Sequence, residues 1–386
     1  MRPDRLRAPA LIAVSAAIGW LGWSGNILSL PITALFPVTW SLSGKRWHAA
    51  AVSAAYFLAA SRGLPQGVAN FYSYDIWPGL LLWLIASAGF VIVHSALWAE
   101  RLGYRKALRF LIACVLMAIP PFGITGWAHP ITAAGVLFPA WGWWGLAAMA
   151  AGLVVMTTRR WPAAAIAMTG FWLWSAAKWT EPTLPASWSG VDLERGSSLG
   201  RDTSLDRHKA LIGIVRRKVP GDIAVLPESA LGFWTPTLAR LWQTALAGTK
   251  TTVIAGATLI DADGYDNVLV SISAEGNTIL YRERMPVPGS MWQPWNSLLG
   301  EGGGARAHLF ANPSVDVAGS RIAPLICYEH LIVWPVLQSM LHDPGVIVAV
   351  GNGWWTTGTS IIDIQQASAR AWGRLFGKPV IFSFNT

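Results

Sequence analysis

Ile322-Ala323-Pro324-Leu325-Ile326-Cys327-Tyr328-Glu329 is an apolar run that ends in a thiol and a carboxylate, and Val225-Leu226-Pro227-Glu228-Ser229, nearly a hundred residues earlier, has the same build. A short apolar run closed by a polar break reads as a buried strand. Each stretch therefore brings one reactive side chain to a strand tip. A thiolate attacks a carbonyl carbon and a neighbouring carboxylate handles its proton, the minimum equipment for acyl transfer through a thioester. Cys327 is accordingly the candidate nucleophile and Glu228 the candidate general base. Their bland alternatives are an inert core cysteine and a helix cap after Pro227.

Working outward, β-type runs are expected at 222–226, 251–259, 267–273, 278–285, 321–326, 345–350 and 379–384, with helical patterns at about 204–218 and 361–376. Asp261-Ala262-Asp263-Gly264 and Glu275-Gly276-Asn277 carry turn chemistry between strands. Strands interleaved with helices able to cover both outer faces predict a layered α/β sandwich.

The other half of the chain has a different character. The 386 residues are 53% hydrophobic and 13% charged, with 24 Trp and a mean hydropathy of +0.42, outside the soluble globular range. Seven apolar segments precede residue 180, at about 8–24, 27–42, 48–61, 77–97, 107–125, 132–158 and 161–179. Spanning takes about 20 residues, so the second and third are short. Arg2, Arg5, Arg7, Lys45, Arg46, Arg101, Arg105, Lys106, Arg109, Arg159 and Arg160 fall on one side of seven alternating crossings, and only Arg62 and Lys178 on the other. That asymmetry predicts a cytoplasmic amino terminus and puts the carboxy-terminal half outside the cytoplasm, in the periplasm. A cleaved signal peptide is the alternative for the first segment alone. Many Trp lie near predicted span ends, where the headgroup layer suits an amphipathic ring.

The expected architecture is a multi-span α-helical membrane domain over 1–180, a linker at 181–187 containing Pro182 and Pro185, and an α-β-β-α sandwich over 188–386. Residues 1–185 hold 13 Lys/Arg against 4 Asp/Glu, whereas residues 186–386 hold 16 of each. All of the +9 net charge thus belongs to the membrane half, which argues against a DNA-binding face on the other.

Pro227-Glu228-Ser229, Tyr281-Arg282-Glu283-Arg284-Met285-Pro286-Val287-Pro288, Ile326-Cys327-Tyr328-Glu329, Gly351-Asn352-Gly353-Trp354-Trp355 and Gln365 to Pro379 occur in the order seen in the carbon-nitrogen hydrolase (nitrilase) superfamily. The whole pattern resembles apolipoprotein N-acyltransferase, in which membrane spans precede a periplasmic nitrilase-like domain. The stretch from Met285 to Trp295 is more similar to the conjugal transfer proteins of rhizobial and agrobacterial plasmids, relatives of that enzyme. The resemblance implies a catalytic Glu, Lys and Cys, with Glu228 as base and Cys327 carrying the acyl group. The lysine position falls on Glu283, an acid where the family places a cation for the tetrahedral intermediate, and the loss of such a donor costs about a hundred- to a thousandfold in rate. Arg284 or Arg282 would substitute only through a one-residue slip, since alternation turns the neighbours of Glu283 to the opposite face. Met291 stands where the acyltransferase has a glutamate, and the chain stops at Thr386 where relatives continue, so a shortened domain or a truncated product are both expected readings.

Tyr328, Glu329, Asn352 and Trp355 flank the same motifs and are the candidate substrate-binding residues. For Glu329 the alternatives are orienting the site or staying solvated. For Trp355, with Trp292, Trp295 and Trp354, they are lining an acyl-chain entrance or aromatic packing. By this reading the acyl donor is a membrane lipid and the acceptor a lipoprotein or another amine. Through the resemblance, conjugation apparatus proteins become partners. Gly300-Glu301-Gly302-Gly303-Gly304-Ala305 lacks the ending of a phosphate-binding loop and reads as a flexible connection. Seven scattered His and two Cys offer no metal-ligand spacing, and the chemistry calls for no cofactor. Cys114, inside a predicted span, has no disulfide role with Cys327.

Overall fold

The computed structural model describes residues 4–101, 103–201, 204–218, 223–298 and 303–386. Arg2, Asp222 at the edge of one expected strand, and residues 300–302 of the glycine run lie outside them. The chain divides into two compact units, one of residues 1–182, 331–334 and 358–377, the other of residues 183–330, 335–357 and 378–386.

Among the described residues, the second unit holds nine strands in two sheets. The first sheet runs in the order β1 (Trp188–Gly190), β2 (Ile223–Val225), β3 (Thr252–Asp261), β4 (Gly264–Ile272) and β5 (Asn277–Arg282). The first three are parallel and the last three antiparallel. The second sheet is β6 (Val315–Val317), β7 (Ser320–Ile326), β8 (Val346–Asn352) and β9 (Val380–Asn385), with β7, β8 and β9 parallel. Parallel neighbours need a crossover, and helices Val333–Met340 and Ile361–Phe376 fill those positions in the chain. Val346 to Val350 on β8 are all buried, the continuous apolar run of a parallel strand covered on both faces.

Strand alternation sorts the core into two layers. Ile223, Val225, Ile254, Leu269 and Tyr281 of the first sheet meet Ile322, Ile326, Val346, Val348, Val350 and Ile381 of the second in one buried cluster. Their neighbours Ala224, Val253, Ala255 and Val268 turn the other way, onto Leu211, Val215, Leu238 and Trp242 of helices Leu205–Lys218 and Pro236–Leu246. The second of these helices begins with Thr235 accepting from the Leu238 N–H and with Pro236 in the first turn, two helix-start signals. Strands β1 and β6 and helices Pro236–Leu246 and Val333–Met340 were not anticipated from sequence: the strands are three residues each, too short for a period to show. The expected turns at 261–264 and 275–277 join β3 to β4 and β4 to β5.

The first unit is helical, around an aromatic cluster of Phe36, Tyr56, Phe90, His94 and Phe110. Gly19 lets two helices close up, because a Cβ there would lie 2.2 Å from the Tyr56 carbonyl oxygen. The seven apolar segments resolve unequally. Among the described residues one helix, Ile76–Ala96, is long and apolar enough to cross a membrane. The segment at 27–42 divides into a 3-10 stretch, Ile27–Leu35, and helix Phe36–Leu42, with Pro31 and Pro37 at work. The segment at 132–158 breaks at Phe138–Trp141 before helix Gly142–Met156. Helix Leu64–Tyr72 lies between segments and was not expected.

Helix Ile361–Phe376, which the sequence assigns to the sandwich, clusters with this first unit, a departure from the linear division at residue 188. The cause is close backbone packing: a Cβ on Gly135 would fall 1.6 Å from the Ala371 oxygen. Arg374 donates to the Thr180 carbonyl at 3.0 Å and stacks on the Trp179 ring at 3.3 Å.

Candidate active site

Both reactive side chains sit on strained turns directly after strands. Cys327 follows β7 directly with φ +48°, and Ser229, next to Glu228, has φ +60°. Left-handed backbone at residues bearing a Cβ costs on the order of 1–2 kcal/mol, and persists here because the surroundings fix it. The Pro227 carbonyl accepts from the Gly256 N–H at 3.1 Å, and Leu231 N donates to the Gly256 oxygen at 3.0 Å. At Gly256 a Cβ would stand 2.5 Å from both the Glu228 Cα and the Ser229 N, so only glycine permits β3 to run beneath this turn.

The two tips meet. The Glu228 carboxylate takes a hydrogen bond from the Cys327 side chain, another on Oε1 from Asn267 Nδ2 at 2.8 Å, and a third on Oε2 from the Asn352 N–H at 3.1 Å. Burial pushes Glu228 up to about 7, outweighing these three donors. A base that changes state near neutrality is suited to taking a thiol proton and giving it back. Among the described residues Glu228 caps no helix, and Cys327, only 6% exposed, faces a carboxylate rather than an all-apolar shell.

Asn267 is the residue that sequence reasoning missed. It lies on β4 and its amide nitrogen also donates to Glu283 Oε2 at 3.1 Å, so one side chain ties the two carboxyls together. Nothing in an Asn inside an apolar strand distinguishes it beforehand. Glu283 is fully buried, and burial together with the neighbouring Glu228 charge holds it well above the carboxylate range.

Arg284 does not reach this pair. Alternation after β5 sends its guanidinium to the Tyr281 hydroxyl, the Pro335 and Pro324 carbonyls, Gln338 and Ser339, and it is completely buried there. Arg282 goes to Asp266 instead. A substitute cation by a one-residue slip is thus absent from both neighbours of Glu283.

Glu329 is 0% exposed, which corrects the solvated reading. Its oxygens accept from the Tyr281 hydroxyl at 2.6 Å, the Arg284 N–H at 2.7 Å, the Met285 N–H at 3.2 Å and the Ile326 N–H at 2.8 Å. It thereby staples the end of β5 to the turn that carries Cys327. Burial raises its carboxyl, with Arg284 pulling the other way. Asn352 contributes its backbone N–H to Glu228, while its side-chain oxygen accepts from Asn385 at 2.7 Å. Trp355 donates its indole N–H to the Asn352 carbonyl at 3.1 Å and remains partly exposed, as does Tyr328. Among the described residues no cluster of His, Cys, Asp and Glu is arranged to hold a metal ion.

A thiol, a buried carboxyl that accepts from it and the Glu329 staple thus come together where the two sheets meet. The sequence model of the carbon-nitrogen hydrolase family matches residues 58–374, and the chain belongs to that family. It is 64% identical over 388 residues to a probable conjugal transfer protein TraB of Sinorhizobium fredii, covering 100% of each chain. It is 63% identical over 395 residues to the conjugal transfer protein TraB of Agrobacterium fabrum, covering 99% of this chain and 94% of that one. Among solved structures, an amidase from Nesterenkonia sp. matches 51% of this chain and 74% of its own at 10% identity, with a TM-score of 0.36.

Proposed function

We propose that this chain is a multi-pass inner-membrane protein that supports conjugal plasmid transfer, and that Cys327 and Glu228 carry out acyl transfer or amide hydrolysis on its periplasmic side. The transfer role follows the names of the two relatives. One observation carries the chemistry, the hydrogen bond between Cys327 and a Glu228 carboxyl poised near pH 7. Glu228 takes the thiol proton, and the thiolate attacks the donor carbonyl and forms a thioester as the leaving group departs with that proton. Glu228 then takes a proton from the incoming amine or water and returns it to the Cys327 sulfur as the acyl group is transferred. A membrane lipid is the expected donor, and a lipoprotein or another amine the acceptor.

The membrane placement is supported by charge asymmetry and by surface. Leu81, Leu84, Ile85 and Ile92 of helix Ile76–Ala96 share one face and are each more than half exposed, an apolar stripe that suits lipid. At about 1.5 Å per residue that helix crosses a hydrocarbon core of about 30 Å. Phosphatase fused after residue 386 tests the topology: activity is expected from a periplasmic carboxy-terminal domain, and none if the orientation is reversed.

The deciding experiment complements a transfer-deficient plasmid with wild type and Cys327→Ala side by side and probes Cys327 with an acyl-directed reagent. Loss of both transfer and adduct in the variant is expected. Transfer at wild-type frequency with an unreactive thiol would instead favour a binding module without turnover, a second reading motivated by two adjoining carboxyls that lack a cation. A narrower alternative, apolipoprotein N-acyltransferase itself, predicts rescue of a strain deficient in lipoprotein N-acylation.

A further inference from the structure

Glu283 is the member of the site for which the thiol and its base leave no task. Its side chain is fully buried, and Oε1 has no hydrogen-bond partner among the described residues. Oε2 accepts a single bond from Asn267 Nδ2, the nitrogen that also serves Glu228. The guanidinium nearest in sequence, on Arg284, is spent on Tyr281, Pro335, Pro324, Gln338 and Ser339, and that on Arg282 pairs with Asp266.

Two carboxyls one amide nitrogen apart in a buried site do not both stay ionised. Glu228 has three donors to stabilise its charge, from Asn267, Asn352 and Cys327, whereas Glu283 has the shared one. The proton therefore resides on Glu283. Because Oε2 is accepting, the hydroxyl hydrogen belongs on Oε1, the oxygen without a partner. A buried O–H donor with nothing to accept it calls for an incoming acceptor.

We infer that Glu283 is a neutral carboxylic acid whose Oε1–H hydrogen-bonds the carbonyl oxygen of the substrate as Cys327 attacks, so that the site is built for ester and amide carbonyls. The inference rests on the thiol chemistry proposed above. In the step, the Cys327 S–H bond breaks and its proton passes to Glu228 while sulfur bonds to the carbonyl carbon. The C=O electron pair moves onto oxygen, where the Glu283 hydrogen bond strengthens as charge develops. Collapse restores the C=O bond, expels the leaving group with the proton from Glu228, and leaves a thioester on Cys327. Glu283 donates throughout without losing its proton.

The test uses the full-length protein in detergent with two reagents. p-Nitrophenyl butyrate reports acylation of Cys327 as a burst of p-nitrophenolate, and methyl methanethiosulfonate reports the same thiol through a reaction with no carbonyl. Glu283→Ala is expected to slow the burst about a hundredfold while its methanethiosulfonate rate stays near that of wild type. Glu283→Gln, whose amide N–H donates from the same place, is expected to keep most of the burst rate. It should also remove the alkaline fall-off expected of wild type when Glu283, held up by burial and by the charges of Glu228 and Glu329, finally ionises. The inference is overturned if Glu283→Gln is as slow as Glu283→Ala, if Glu283→Ala slows both reagents alike, or if its burst equals that of wild type. A wild type with no burst, indistinguishable from Cys327→Ala, overturns the thiol reading itself.

Discussion

Glu329 and Glu283 are both fully buried carboxyls of the sandwich unit, yet the protein treats them in opposite ways. Glu329 accepts four hydrogen bonds, three of them from backbone N–H groups, and faces Arg284 at 3.8 Å. Glu283 accepts one, shared with Glu228, and keeps an oxygen unpartnered. Burying a carboxyl is tolerable when donors replace its water. A carboxyl that is buried and left short of donors weakens the fold, and such deficits concentrate where chemistry is done. The contrast separates a residue that holds the Cys327 turn in place from one that keeps a carboxyl oxygen without a hydrogen-bond partner.

The largest effect expected is from Cys327→Ser, which should abolish the acyl adduct altogether in an intact-mass measurement while leaving the thermal transition of the protein nearly unchanged. A retained adduct would move the nucleophile elsewhere and break the contrast at its root. Glu329→Ala comes next, on stability: removing one partner from a buried, hydrogen-bonded ion pair costs about 3–5 kcal/mol, so the melting temperature in detergent should fall by roughly 10 °C. Glu283→Ala should shift the same transition little or upward, because it removes a poorly satisfied group. Equal losses in the two variants would erase the distinction.

Gly256→Ala sharpens the comparison at the Glu228 turn. The added methyl must displace Glu228 or Ser229, and a displacement of about 1 Å at a general base costs about a hundredfold in rate. Stopped-flow acylation measures it. Glu228→Gln addresses linkage. The folded carboxyl titrates near 7 and the unfolded one near 4.5, so the native state holds a proton that the unfolded chain releases. Stability from this group is complete below about pH 4.5 and declines as pH rises to about 7, and Glu228→Gln should flatten that part of a denaturation profile. The smallest effect belongs to Asn352→Ala, which keeps the N–H that reaches Glu228 and should reduce acylation by less than about tenfold.

Much of the sandwich was legible because its strands are apolar runs with clear breaks. The long strands β3, β4, β7, β8 and β9 and helices Leu205–Lys218 and Ile361–Phe376 stand close to where periodicity puts them. The three-residue strands β1 and β6 carry too few side chains for a period and exist through pairing with distant neighbours. In the helical unit, composition marked apolar segments correctly, yet proline and backbone packing broke two of them into short pieces that hydropathy alone treats as continuous.

What the amino-acid order determined by itself was the chemistry on offer: a thiol and a carboxyl each delivered at the end of a hydrophobic strand, an acid at position 283, and two halves of opposite polarity. Local pattern suffices for that, since side-chain identity and strand period are properties of neighbours in the chain. Which groups touch was decided only by the tertiary structure. Asn267 joins Glu228 to Glu283 across two strands, Arg284 turns away to Pro335 and Ser339, and helix Ile361–Phe376 seats against Gly135 rather than within the unit its place in the sequence suggested. Hydrogen bonds a few ångströms long connect residues separated by tens to hundreds of positions, and no property of the chain near either partner encodes that distance.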